Sequence, residues 1–338
     1  MTKYILKRIL YMVVVFFIVS FVMYFLFNLI PSDPARLELE EMKKTLRPDV
    51  YEKMYRDLRE SMGLDDPIIV RYARWLGVIP EKSGEFNGYF QANFGYSNFY
   101  KKPVVNVISA PIRTTVFMNI FATILALGIT IPLGIWCAVH KGSRRDNFVQ
   151  VFSIVGYSIP IYIIALVFIY VFAVLLRWFP VSGIGTPGAN YTGLRAFLDE
   201  LYYLGLPLIV MTFASLGGMS RYVRSAMIEA LSMDHIRTAR AKGVKERVVI
   251  YSHAWRNALL PVVTLIISWF LGIFSGSVLV ESTFGISGMG RLYIQSLSNH
   301  DFEVSLFVQM FYTVVSLVGA LLMDLIYGFV DPRIRVNK

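Results

Sequence analysis

The stretch "ILYMVVVFFIVSFVMYFLFNLI" (Ile9–Ile30) contains 22 residues and no Asp, Glu, Lys or Arg. A helix needs about 20 apolar residues to cross the hydrocarbon core of a bilayer, so this stretch is long enough to span a membrane. A signal peptide is the alternative interpretation. The stretch is longer than the usual apolar core of a signal peptide, however, and no small-x-small cleavage site follows it. We therefore interpret it as a retained membrane helix.

Five more windows of the same kind follow in the chain. Of its 338 residues, 56% are hydrophobic and 17% are charged, whereas soluble domains have roughly 25% charged residues. The six windows are 9–30, 114–139, 147–176, 201–220, 257–280 and 304–323, and the last continues past Asp324 to residue 330. Lipid cannot satisfy backbone polar groups, and the alternating pattern of a membrane barrel is absent. The predicted fold is therefore all-α and polytopic, with six transmembrane helices.

The positions of the charges predict the orientation of these helices. The net charge is +10, and alternate loops carry most of the positive excess. One set of loops holds 17 Lys/Arg and 5 acidic residues, whereas residues 31–111 on the other side hold 12 of each. The first set comprises residues 1–8, 140–146, 221–257 and 331–338. By the positive-inside rule both termini are cytoplasmic, and topology accounts for the basic charge without nucleic acid.

This topology divides the chain into four predicted regions. Residues 1–30 form a cytoplasmic N-terminus and the first membrane helix, and residues 31–111 form an extracytoplasmic region. The part of that region between Leu37 and Gly77 has helical periodicity and many neighbouring opposite charges, which predicts an ordered helical cap. Residues 112–330 form a five-helix core that includes a cytoplasmic loop, 221–257, and residues 331–338 form a cytoplasmic tail.

Several kinds of chemistry have no support in the sequence. There is no G-x-x-x-x-G-K-[ST] phosphate loop, no His/Cys cluster with metal-ligand spacing and no nucleophile paired with a base. We therefore expect no enzymatic activity, no metal site and no cofactor bound by this chain. Charges within the apolar windows are also scarce, whereas ion-coupled carriers usually need them. An ion-coupled secondary transporter remains the alternative from another class.

Two acidic residues are candidates for a transport pathway. Glu281 lies at the outer end of the fifth window, where it either forms a gate or a docking contact or reaches solvent. Asp324 interrupts the last apolar run, where it is either a polar contact across the pathway or a residue bonded to a neighbouring helix near the cytoplasm.

A basic segment, "RTARAKGVKERVVIYSHAWRNALLP" (Arg237–Pro261), lies between the fourth and fifth windows. Ser232 or Asp234 is suited to cap a short helix, and Gly243 is suited to end it. A second helical stretch follows, with Pro261 expected in the first turn of the fifth span.

The short helix carries a stripe of little bulk formed by Ile236, Ala239 and Gly243. Such a helix either lies on anionic lipid or docks on a cytoplasmic protein. The small stripe favours docking, because lipid-bound helices usually present large apolar side chains.

The same segment resembles the cytoplasmic loop of permease subunits of ATP-binding-cassette (ABC) importers, in the version of the dipeptide and oligopeptide branch. The motifs on which this resemblance rests are "DHIRTARAKG" (Asp234–Gly243) and "HAWRNALLP" (His253–Pro261). Further motifs follow the order of the B-type permease of that branch: "KYILKRIL", "IPSDPA", "GLDDPIIVRYARWL", "FGYS", "VVNVISAPIRTT" and "DLIYGFVDPRIR".

The resemblance implies a type I ABC importer permease fold with an enlarged extracytoplasmic helical region. It also implies a location in a bacterial or archaeal inner membrane, with the bilayer as one partner. The other implied partners are a homologous second permease (C-type), two cytoplasmic ATPase subunits that bind ATP and Mg, and an extracytoplasmic substrate-binding protein. Di- and oligopeptides are the implied cargo; relatives carry nickel chelates, glutathione or oligosaccharides.

The resemblance also implies which residues couple the chain to an ATPase. These are Asp234, Ile236, Arg237, Thr238, Ala239, Arg240, Ala241, Lys242 and Gly243. The basic side chains would form charge-assisted contacts with the ATPase, and Ala239 and Gly243 would allow its close approach.

Overall fold

The computed structural model describes residues 2–30, 33–40 and 42–330. The predicted tail, residues 331–338, lies outside them. The helices are α1 (Thr2–Leu29), α2 (Pro34–Glu38), α3 (Pro48–Ser61), α4 (Ile68–Leu76), α5 (Val104–Val139), α6 (Arg144–Ser158), α7 (Ile161–Phe168), α8 (Gly193–Ser232), α9 (Asp234–Ala241), α10 (Glu246–Val248), α11 (Trp255–Leu271), α12 (Val278–Thr283), α13 (Met289–Ser298) and α14 (Phe302–Val330). A two-stranded antiparallel hairpin, β1 (Tyr96–Ser97) and β2 (Lys102–Pro103), precedes α5.

The helical fold class is confirmed. Five helices of the described residues are long and apolar enough to cross a membrane, and a bent pair, α6 and α7, makes a sixth span if it crosses as one. The 40-residue helix α8 extends well beyond its predicted window. At 1.5 Å per residue it is about 60 Å long, twice the thickness of a bilayer core. Its end therefore projects from the membrane.

The third window, which the sequence predicts as one transmembrane helix, is divided into two helices by a sharp bend. The α6 and α7 axes are bent by 103° at the break between them. Pro160 follows Ile159, whose backbone is extended (φ −83°, ψ 128°). Proline lacks an N–H and drives the preceding residue out of the helical region, so the helix ends and restarts here. A π-helical segment, Ile169–Leu175, follows α7.

The predicted end of the fifth window and the predicted role of Pro261 are both wrong. The span continues from α11 through a 3₁₀ turn only to Phe274, and Ser275 is extended, so α12 is a separate short helix. Pro261 lies inside α11, because the helical run that contains it already begins at Glu246. The helix tolerates this proline, as membrane helices often do.

The chain forms two compact units, one within Met1–Pro111 and Leu292–Val318 and one within Ile112–Arg291 and Gly319–Lys338. The predicted boundary at residue 112 thus lies inside α5, and the four-region division stays a prediction.

In the first unit, aromatic side chains join the start of α14 to the segment between α1 and α5. Rings of Trp75 and Tyr89 have centroids 4.1 Å apart, and Phe94 contacts both Tyr89 and Phe307. The predicted helical segments between Leu37 and Gly77 are confirmed as α3 and α4, with shorter turns before them. The buried Asp301 carboxylate accepts a hydrogen bond from Ser97 Oγ, which holds the hairpin against the end of α13.

The described residues of the second unit form two apolar cores. One is formed by α5, α7, α8 and α12, around residues such as Met118, Leu204 and Phe284. The other lies between α8, α9 and the helical run that contains α11, and it includes Met227 and Val262. This second core positions the basic segment.

Candidate functional site

The helix α9 is the short helix that the sequence predicts, but its start differs from the prediction. Met233 is the N-cap residue, with extended backbone (φ −68°, ψ 148°) and no side-chain capping bond. The Ser232 hydroxyl donates to Glu229 O within α8, and Asp234 is already the first helical residue. Neither predicted cap is therefore used. Asp234 at this position still favours the helix, because a carboxylate is stabilised near a helix N-terminus.

The end of α9 is as predicted. Gly243 has a φ of +73°, in the left-handed region that glycine occupies without a Cβ penalty. Its N–H donates to Arg240 O (3.0 Å), and the N–H of Val244 donates to Ala239 O (3.2 Å). This pair of bonds is the Schellman motif, which satisfies the last carbonyls of the helix.

Two residues of the predicted small stripe, Ile236 and Ala239, face the chain itself, which corrects the prediction that a partner approaches them; the third, Gly243, is exposed. Ile236 is fully buried and Ala239 is 9% exposed. Both belong to an apolar cluster that also contains Met227, Ala230, Val249, Ala254 and Ala258. Periodicity revealed the stripe but not the surface that it faces. Ile236 and Ala239 therefore anchor α9 between α8 and the next helical run.

The opposite side of α9 is open. We define its exposed face as Asp234, His235, Arg237, Thr238, Ala241 and Lys242, all of which are exposed. Arg237 and Asp234 form a 3.7 Å ion pair with side chains 75% and 97% exposed, so water screens it. Gly243 adjoins this face, and a Cβ at Gly243 would meet no atom within 4 Å. The exposed face is thus mostly polar and bordered by open space.

Arg240 is engaged within the chain. Its guanidinium binds Glu246 through two hydrogen bonds, Nε to Oε2 (3.1 Å) and the terminal nitrogen to Oε1 (2.6 Å). These bonds raise the pKa of Arg240 above its usual value. The bidentate pair clamps the end of α9 to the start of α10.

A π-helical segment, Val249–Ala254, connects α10 to α11. It places Val249 and Ala254 in the cluster under α9. The side-chain amide nitrogen of Asn257 lies 3.2 Å from His235 Nε2, and it also donates a hydrogen bond to His253 O. Contacts at both ends therefore fix α9 to the helical run that crosses the membrane as α11.

A buried ion pair near this segment was missed by the sequence reasoning. Asp146 is fully buried, and its carboxylate accepts two bonds from Arg224, from Nε (2.8 Å) and a terminal nitrogen (2.7 Å). It also accepts from the N–H of Gly142, while Ser143 Oγ accepts from the N–H of Asp146. The Ser-x-x-Asp spacing of a capping box was the available signal for the turn. The pair locks the turn before α6 to α8.

Glu281 does not reach solvent, so that alternative is wrong. Its side chain is fully buried, and its carboxylate accepts bonds from Thr115 Oγ1 (3.0 Å) and the N–H of Arg291 (2.8 Å). Burial is the largest influence on its pKa, which is raised. A Cβ at Gly288 would overlap the carboxylate, so the glycine-rich loop is shaped around it. Glu281 thus fixes the α12–α13 loop to α5; its role as a gate stays a prediction.

Asp324 lies in α14 and is partly buried. Its role in a pathway also stays a prediction.

Comparison with known proteins tests the family directly. Residues 130–336 match the family described as "Binding-protein-dependent transport system inner membrane component", and residues 1–119 match the N-terminal family of the same transport systems. The chain belongs to this family of inner membrane components. As a member of that family it is a multi-pass component of a transport system that depends on a binding protein, which confirms the resemblance.

Curated relatives of this inner membrane component match along their whole length. The oligopeptide transport system permease protein AppB of Bacillus subtilis is 34% identical over 336 residues, 99% of this chain and 100% of the relative. The dipeptide transport system permease protein DppB of Lactococcus lactis is 32% identical with the same coverage. A probable peptide ABC transporter permease protein of Sinorhizobium fredii is 30% identical over the same share of both chains.

Proposed function

We propose that this chain is the permease subunit of an ATP-driven importer of di- and oligopeptides and that the exposed face of α9 binds a cytoplasmic ATPase subunit. Three relatives that match along their full length are named as oligopeptide, dipeptide or peptide permeases, which supports the cargo class. The observation that carries the coupling role is the geometry of α9. One side is buried in its own chain, and the other is exposed and polar.

This arrangement suits transmission of movement. A partner that bound only a flexible loop would displace that loop alone. Ile236 and Ala239 instead hold α9 against α8 and the π-helical segment. The Arg240–Glu246 pair joins the C-terminal end of α9 to α10. A displacement of α9 would therefore move two membrane-crossing helices as well. Alternating access requires such an element, whose two states a partner's ligand can bias.

The proposed partners supply functions for which the chain has no motif. Its sequence contains no phosphate loop, and we assign the binding of ATP and Mg to two ATPase subunits. A homologous second permease completes the translocation pathway, and a substrate-binding protein delivers peptide from the opposite side. We place both termini and α9 on the cytoplasmic side, on the basis of the positive charge in those segments.

Reconstituted transport tests this function. The chain, its second permease and the two ATPases are placed in liposomes with the binding protein outside, and labelled trialanine uptake is measured. Uptake should require internal ATP and persist when ion gradients are dissipated. Uptake driven by an ion gradient without ATP would support the secondary transporter instead. ATP-dependent uptake of nickel chelates, glutathione or oligosaccharides, with none of peptides, would overturn the cargo assignment.

A further inference from the structure

The first unit contains a cavity of about 1220 Å³. It is lined by the end of α1, by residues between α2 and the β-hairpin, and by the start of α14. The volume is sufficient for a small molecule. Neither α9 nor the loop around Glu281 contributes to it.

A carboxylate without an ion partner lies in this cavity. Glu303 lines it from the first turn of α14, and no described Lys, Arg or His side chain forms an ion pair with it. Glu303 Oε2 would be 2.6 Å from a Cβ at Gly95, so the carboxylate packs closely against that glycine's backbone. Burial and the nearby Asp301 make an unpaired charge on this carboxyl group costly, so a bound cation would stabilise its ionised form.

Aromatic side chains flank this carboxylate. The Trp75 indole interacts with the Glu303 carboxylate, and the Tyr89 hydroxyl is buried without a hydrogen-bond partner among the described residues. Burial and the nearby Glu303 charge raise the pKa of Tyr89, which keeps its hydroxyl protonated. A carboxylate flanked by aromatic rings is a suitable site for an ammonium group, because the ring faces attract cations as well.

A cationic group lines the same cavity. Arg71 donates hydrogen bonds to Asn28 Oδ1 and to the Tyr24 hydroxyl, both neutral acceptors, and forms no ion pair with any described acidic residue. The Tyr24 side chain lies within electrostatic range of both Arg71 and Glu303. The two opposite charges thus line one cavity without neutralising each other. A guanidinium without a carboxylate partner is a suitable binding group for a ligand carboxylate.

We propose that this cavity binds a small zwitterion, with its free ammonium group at Glu303 and its carboxylate at Arg71. Short peptides with free termini have this chemistry, so the choice of peptide rests on the proposed function. The cavity is then a second substrate site on the permease itself, on the side of the membrane where α2, α3 and α4 lie.

Equilibrium binding of peptides tests the proposal. The assembled complex of both permeases and both ATPases is placed in lipid nanodiscs without the binding protein. Labelled trialanine, N-acetyl-trialanine and trialanine amide are the probes. Trialanine should bind saturably, and each capped peptide at least tenfold more weakly. Equal binding of free and N-acetylated peptide by the wild-type complex would overturn the proposal without any variant.

Variants then assign the groups. Glu303→Gln should weaken trialanine binding at least tenfold and leave N-acetyl-trialanine unchanged, whereas Arg71→Gln should weaken trialanine and leave its amide unchanged. Glu85→Gln is the matched control, because Glu85 is exposed in the same unit and does not line the cavity. Trialanine binding that is unaffected by Glu303→Gln and Arg71→Gln would place the ligand elsewhere.

The same preparation separates this proposal from the proposed function. Uptake of trialanine is measured after the binding protein is added. Uptake without saturable binding to the nanodisc complex overturns the cavity alone. A complex that takes up no peptide overturns peptide import, and the zwitterion site is then overturned as well if trialanine does not bind.

Discussion

At the scale of single residues, positions a few residues apart in the basic segment differ in what they contact. Ala239 is packed against its own chain, whereas Gly243 borders open space and closes the helix with a positive φ. In the sequence motif the two positions look alike, because both hold small residues. Only the structure separates a residue that anchors α9 from one at its exposed boundary.

Gly243→Asp should uncouple ATP hydrolysis from uptake while the complex still assembles. Aspartate tolerates the left-handed conformation better than most residues, so the substitution should cost little folding stability. The added carboxylate, however, projects into the space where the ATPase is proposed to bind. ATPase activity and trialanine uptake are measured together in proteoliposomes.

Gly188→Asp is the control for that variant. Gly188 has a similar φ, +75°, and also has open space around it, but it lies in the loop before α8. It should retain uptake. Normal uptake by Gly243→Asp would contradict the docking assignment.

Ala239→Leu should destabilise the core beneath α9 by about 1–3 kcal/mol, because added methyl groups strain a filled site. Ala241→Leu, on the exposed face, should leave that core intact. Hydrogen exchange of residues 234–258 checks this. Equal protection in the two variants would show that Ala239 is not packed as described.

Asp146→Ala should lower the free energy of unfolding by about 3–5 kcal/mol, because it leaves Arg224 without its buried partner. Thermal unfolding of the purified chain measures the change. Asp49→Ala removes an exposed ion pair with Arg47 and should cost less than about 1 kcal/mol. Similar losses for both variants would contradict the buried role of Asp146.

At the scale of elements, helices were predictable from the sequence but their breaks were not. Charge-free windows located the spans, because lipid requires long apolar helices. The 103° bend at Pro160 was signalled by the proline, yet its size depends on how α6 and α7 pack on α8. The Asp146–Arg224 pair joins positions 78 residues apart, a contact that no local pattern contains.

The arrangement of the α12–α13 loop was also not predictable from the sequence. Its glycines predicted turns, but only the structure shows that they surround Glu281. Glu281→Gln should lower the free energy of local unfolding of this loop by about 1–3 kcal/mol, because an amide N–H₂ would face backbone N–H donors. Protease sensitivity between residues 275 and 291 measures the effect. A loop as resistant as in the wild type would show that the carboxylate is not what holds it.

At the scale of the whole molecule, family membership and the helical fold follow from the sequence, and the coupling role is proposed from the orientation of α9. Of the predicted stripe, Ile236 and Ala239 face the core of the chain, and only Gly243 is exposed as predicted. As a consequence, the proposed partner surface is the exposed face, where Arg237, Thr238 and Lys242 lie, while Ile236 and Ala239 carry its movement into the membrane helices.

Site-directed crosslinking tests that claim most directly. The only cysteine of the sequence, Cys137, is buried. It is first replaced by serine, and the Cys137→Ser chain is the background for the other variants. Thr238→Cys is labelled with a benzophenone maleimide in the assembled complex, and Leu198→Cys near the other end of α8 is the control. Illumination should join the permease to an ATPase subunit from position 238 and not from position 198. A complex that takes up trialanine with ATP but forms no ATPase adduct from position 238 would contradict the account.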